Sequence, residues 1–332
     1  MSSLNQREIA AQVGLSQSSV SRALKGDCRI SRSTREKVLR AAKALGYEPD
    51  PAVSVLAGYR WNRNVQAKGL SLALLTNRPK NERLLSGYNE LVMEARNAGY
   101  SIDVIELADV PSSRALLRIL KARGVAGVFC YLNDRVALPP LIAEVCERYA
   151  AVNWNCVIEH PICPGVYRDS YHRVADCCEA IRQRGYQRAL IVLPGNPKQP
   201  TDCLKKMHAA WLLHQRQCPG WDNAYIADYS EANWDALAAK VRSSQPEAII
   251  VANEDILAEL RKRGIEPGRD FAFACMNVEA MRCYSGIASI FPLVARHSIE
   301  LLSGMIARRV VGKDSSCAQV EIRGAWVDGD SL

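Results

Sequence analysis

From Gly69 onward, short apolar runs alternate with helical stretches, and this alternation constrains the fold of the 332-residue chain more than any other feature. Leu70 to Thr76, Ile102 to Leu107, Val125 to Tyr131 and Ala150 to Trp154 read as strands, as do Ala189 to Leu193, Ala248 to Ala252 and Phe271 to Met276. Leu84 to Ala98, Leu116 to Arg123, Tyr171 to Arg184 and Asp235 to Arg242 lie between them with helical spacing. Alternating strand and helix implies parallel sheets covered by helices, with any ligand outside the carboxyl ends of the strands. No long-period repeat or low-complexity tract interrupts the pattern.

The first sixty residues follow another rule. Residues 1–63 hold 11 lysines and arginines against 5 acidic residues, so +6 of the chain's net +8 sits in this head. A basic head on a nearly neutral body is the footprint of a module that neutralises phosphates. Asn5 can cap a helix with Glu8 at its third position, and Ile9, Ala10 and Val13 recur at helical spacing up to Gly14. Ser16 can cap a second helix through Leu24, completing a helix-turn-helix. Val20, Ala23 and Leu24 form its apolar stripe and leave Gln17, Ser18, Ser21 and Arg22 facing outward. In such motifs the second helix enters the major groove, where Gln17 suits adenine and Arg22 suits guanine. A third helix starts at Ser31 and turns Val38, Leu39, Ala42 and Leu45 to the same core. Its Arg32, Arg35, Lys37, Arg40 and Lys43 fall on other faces. Asp50 and Pro51 then begin a helix of about two turns that Gly58 would stop, too short to be stable alone.

The same sequence argues against several classes. Twelve cysteines form no Cys-x-x-Cys pair, so reduced thiols serving as small hydrophobes are expected, with no metal and no cofactor. No apolar run approaches the ~20 residues of a membrane span, and no secretory leader is written, so the chain is expected to be cytoplasmic. The loop Pro194 to Pro200 lacks Walker spacing, and no nucleophile-elbow or dinucleotide pattern is present, so an enzyme is not expected. No leucine heptad follows the last apolar run, so no appended tetramer helix is expected.

The run from Ile9 to Gly26, then Ile30-Ser31, Thr34 to Leu39 and Leu45 to Pro49, resembles the head of the LacI/GalR regulators. The resemblance implies a helix-turn-helix domain over 1–48, a hinge helix over 49–60, and a two-lobed body of periplasmic-binding-protein type over 61–332. It implies one lobe of about 61–168 and 291–318, and a second of about 169–290 and 319–332. The DNA-contacting residues would be Asn5, Ser16, Gln17, Ser18, Ser21, Arg22, Ser31, Thr34 and Tyr47. Leu56 would stand where the hinge leucine wedges into the minor groove.

In the cleft, Asn253 resembles the effector-bonding Asn of the family's Ala-Asn-Asp motif, and Trp234 the aromatic that stacks on the ligand. Asn277 stands where many members have Asp, and Met207 where the family has an effector-binding arginine. A neutral polar ligand, a sugar, is therefore expected. The ending Arg323 to Gly329 is similar to that of xylose-responsive regulators. The reading is a homodimer on a palindromic duplex operator, controlled by a small-molecule effector. Two alternatives stay open: a regulator without effector whose body only dimerises, and an enzyme with an accessory head.

Overall fold

The computed structural model describes residues 6–24, 30–45, 70–77, 87–132, 140–155, 162–195, 198, 200–227, 234–279, 283–312 and 318–332. These fall into two compact units, a head within residues 1–65 and a body within residues 66–332.

The head contains α1 (Gln6–Val13), α2 (Gln17–Leu24) and α3 (Arg32–Ala44). Gly14 turns the chain out of α1 with φ +68°, a conformation costly for residues bearing a Cβ, and Leu15 N–H returns to the Ala10 carbonyl at 3.0 Å. Ser16 caps α2, its Oγ accepting from Ser19 N–H at 3.2 Å. Ser31 caps α3 in the same way, accepting from Thr34 N–H at 3.2 Å. Ile9, Ala10, Val13, Val20, Ala23, Val38 and Ala42 are the buried core. Leu45 packs against it as the helical spacing predicts, but Leu39 does not: it is 47% exposed, and Ala41 takes its place against the core. The 3.6-residue period puts Ala41 in line with Val38 and Leu45, and turns Leu39 away from that row.

The body holds two six-stranded sheets. The first contains β1 (Leu70–Thr76), β2 (Tyr100–Glu106), β3 (Val125–Tyr131), β4 (Ala150–Trp154), β5 (Gly165–Arg168) and β11 (Gln319–Ile322), in the order β11-β5-β4-β3-β1-β2, all parallel. Along β1, Leu72 and Leu74 face one side and Ala73 and Leu75 the other, so the strand is buried twice. α4 (Tyr88–Asn97) and α11 (Phe291–Arg308) cover the first side; α5 (Ser113–Ala122) and α6 (Pro140–Cys146) cover the second.

The second sheet contains β6 (Ala189–Pro194), β7 (Tyr225–Ala227), β8 (Ala248–Val251), β9 (Ala272–Val278), β10 (Gly286–Ala288) and β12 (Trp326–Val327), in the order β12-β10-β9-β8-β6-β7. Only β12, at its edge, runs antiparallel. Its helices are α7 (Ser170–Gln183), α8 (Asp202–Gln215), α9 (Trp234–Ser244) and α10 (Glu254–Arg261).

The expected lobe division needs one correction. Residues 319–332 do not all belong to the second lobe: Gln319 to Ile322 pair in register with Gly165 to Arg168 in the first sheet. Only β12 returns to the second. The chain therefore passes between the lobes at Asp169, at Ser289 to Ile290, and at Arg323 to Ala325.

Candidate nucleic-acid interface and interlobe site

In the head, Gln17 opens α2 with its side chain exposed. Ser18, Ser21 and Arg22 occupy the same helix, but their side chains lie outside the described residues, as do Asn5, Tyr47 and Leu56 entirely. Ser16, Ser31 and Thr34 sit at helix starts; Ser31 Oγ and Thr34 Oγ1 lie 2.8 Å apart. Their first structural task is thus to satisfy helix N-termini, which are also the points where N–H groups and the helix dipole favour an anion. Lys37 has a different task from the one its charge suggests. Its Nζ donates to the Val13 carbonyl at 3.1 Å, tying α3 to the end of α1.

In the body, the four expected ligand residues separate. Asn253 lies two residues past the end of β8, and Asn277 lies near the end of the adjacent β9, so both stand at the carboxyl edge of the second sheet. Asn253 Nδ2 donates to Asp255 at 3.2 Å, while its Oδ1 is buried without a hydrogen-bond partner. Trp234 is half-buried at the start of α9, against the core of the second lobe. Met207 is not in the cleft. It is 2% exposed, within the stripe Leu204, Met207, Ala210 and Trp211 that α8 turns into that core. Four apolar residues at helical spacing must be buried together, and this fixes the rotation of α8.

Charge comes instead from two arginines at the Asp169 crossing. Arg168 ends β5, with its guanidinium 4.4 Å over the ring of Phe291 at the start of α11. Its carbonyl accepts from Ser170 Oγ at 3.5 Å, whereas its guanidinium makes no hydrogen bond or ion pair with a described residue. Burial, and after it the charge of Arg173, push its pKa down to about 9, so it is still a cation at neutral pH. Arg173, on α7, is buried and donates from Nε to the Met276 carbonyl at 3.0 Å; burial also pushes it down. Arg173 is buried and Arg168 half-buried beside this crossing, and cations held where water is scarce favour an anion.

The surrounding polar groups are held. Asp169 caps α7, accepting from His172 N–H at 2.9 Å, and its other oxygen lies 2.5 Å from His172 Nδ1. Lys206 on α8 forms an ion pair with Glu321 on β11, joining the lobes, and lies 5.7 Å over the Tyr167 ring. At the end of β4, Trp154 Nε1 is buried without a hydrogen-bond partner, its ring 5.0 Å from Tyr131. The sequence signal for Arg168 was present: a charged residue closing an apolar strand where the lobes divide. Arg173 gave less sign, since one arginine in a helix reads as surface.

Comparison with known proteins bears on the head first. Residues 6–50 match the family of bacterial regulatory proteins named lacI. The chain carries a lacI-family head. Over 54 residues it is 43% identical to the HTH-type transcriptional regulator AglR of Rhizobium meliloti (strain 1021), a stretch covering 16% of this chain and 15% of that protein. The body is similar in fold to solved regulators. The lac repressor dimer bound to operator and the anti-inducer ONPF superposes with a TM-score of 0.60 at 17% identity, over 99% of each chain. A LacI-family regulator from Arthrobacter sp. FB24 in complex with lactose gives 0.61 at 18%, over 79% of this chain and 99% of that one. The fold, a helical head and a two-lobed body of parallel sheets covered by helices, is that of these solved structures.

Proposed function

We propose that this chain is a DNA-binding transcriptional regulator that binds a palindromic duplex operator as a homodimer and responds to a small polar ligand between its lobes. The lacI-family match over residues 6–50, joined to a lac-repressor-like body, carries the reading. Gln17, Ser18, Ser21 and Arg22 on α2 read base edges, with Asn5, Ser16, Ser31, Thr34 and Tyr47 positioning the head and Leu56 wedging the minor groove. Met93 on α4 and Leu293 on α11, helices packed against each other, are 50% and 40% exposed and offer apolar surface to a second copy. Footprinting on DNA around the chain's own gene tests the function; protection of one half-site by a stable monomer would refute the dimer.

For the ligand, Asn253 and Asn277 provide amides at strand ends, and Trp234 an aromatic face. Arg168 and Arg173 change the expected charge from neutral to anionic. A sugar bearing an acid group, as carboxylate or phosphate, meets both requirements: hydroxyls for the amides and an anion for the guanidiniums. Calorimetry on the full chain with neutral sugars, sugar acids and sugar phosphates distinguishes these. Binding only by neutral sugars, unaffected by Arg168→Gln, would remove the anionic reading. Silence across all three would favour a regulator whose body only dimerises.

A further inference from the structure

Three cysteines that lie sixteen and seventeen residues apart in sequence meet in the core of the first lobe. Cys130 is next to last in β3, Cys146 ends α6, and Cys163 lies just before β5. All three are buried, and their Sγ atoms lie within 4.8 Å of one another. The core around them is apolar and includes Val128, Leu132, Ile142, Val145 and Ala151. Among the described residues no carboxylate or imidazole joins the group.

This environment selects its ligand by coordination number and charge. Among the described residues these are three sulfurs on three separate elements with no fourth donor beside them, a set that suits a centre complete with three bonds. Zinc in a closed site takes four ligands. Thiolates favour soft centres, and three of them bring three negative charges. A monovalent ion would leave a net charge of −2 in an apolar core and a divalent ion −1, both penalised by burial without a counter-charge. A trivalent centre leaves none.

We propose that Cys130, Cys146 and Cys163 form a binding site for a trivalent thiophilic metalloid, arsenic(III) or antimony(III), held by three sulfurs. Arsenous acid, As(OH)₃, would exchange its three hydroxyls for the three sulfurs. Three As–O bonds break, three As–S bonds form, and each hydroxide leaves with one thiol proton as water, so no oxidation state changes. The site is separate from the interlobe crossing and does not depend on the ligand reading above.

The test is arsenic X-ray absorption on the reduced full chain loaded with one equivalent of arsenite. A first shell of three sulfurs and no oxygen is expected. Cys163→Ala and Cys146→Ala should each reduce it to two sulfurs and an oxygen and weaken binding by about a hundredfold or more. Cys178→Ala, in the second lobe, should change neither. Circular dichroism establishes that each variant is folded, and if one is not, the other supplies the comparison. An oxygen-dominated shell, or a three-sulfur shell unchanged in the folded variants, would overturn the site. Displacement of arsenic by equimolar cadmium would overturn the choice of a trivalent centre.

Discussion

Gly286 and Gln17 show how much a single position can decide. Gly286 sits at φ +153°, and a Cβ there would overlap the Cys275 carbonyl of the neighbouring strand. Gly286→Ala should therefore destabilise the body by about 2 kcal/mol or more, read as a lower urea midpoint at unchanged slope. In the head, Val20 is fully buried in a core of small residues. Val20→Ala should cost about 2 kcal/mol of head stability and weaken every DNA sequence alike. Gln17→Ala should instead leave the melt unchanged and alter the preferred base, at about 1–3 kcal/mol for a lost bidentate contact. A binding-site selection that returns the parent's preferences would refute the role of Gln17.

At the scale of elements, α8 serves two purposes. Its apolar stripe anchors it in the second lobe, where Trp211 stacks on Trp221 with ring centroids 4.9 Å apart. Its polar side carries Lys206 to Glu321 across the lobes. Because that pair is partly solvated, Lys206→Met should change stability by less than about 1 kcal/mol, yet remove a contact made in only some lobe arrangements. A shift in ligand affinity with little change in melting is the expected result.

The same helix carries a pH dependence. Burial pushes the His214 imidazole down, with Glu179 opposing and Arg182 adding, and its Nδ1 has no hydrogen-bond partner. The unfolded chain then takes up a proton before the folded one does. Stability from this group is complete above the ordinary histidine value of about 6.5 and is lost as pH falls through the lower folded value. Urea melts from pH 7.5 to 5 should show a decline that is smaller in His214→Gln.

For the whole molecule, the division of charge matters most. With +6 of the net +8 in residues 1–63, operator affinity should fall steeply with salt, by about a thousandfold or more between roughly 50 and 200 mM if six phosphates are neutralised. Affinity flat over that range, measured by fluorescence anisotropy, would contradict a phosphate-binding head. Sedimentation on a duplex carrying both half-sites should find two chains.

Local order was legible in the sequence because its causes are local. The caps at Ser16 and Ser31, the turn at Gly14 and the bounds of β1, β3 and β4 follow from contacts within a few residues or from apolar runs. Much of what makes a site depends on pairings over long stretches of chain. Gln319 joins the first lobe because it pairs with Gly165, which no property of its own segment announces. Met207 stands where the family resemblance places an arginine, but the face α8 buries is settled by the sheet beneath it. Arg173 reaches the Met276 carbonyl across 103 positions, and three cysteines without a metal spacing converge from a strand, a helix and a loop. Propensity and periodicity act within one element, so they fix which elements form and which faces are apolar. The packing of distant elements decides which polar groups those faces bring together.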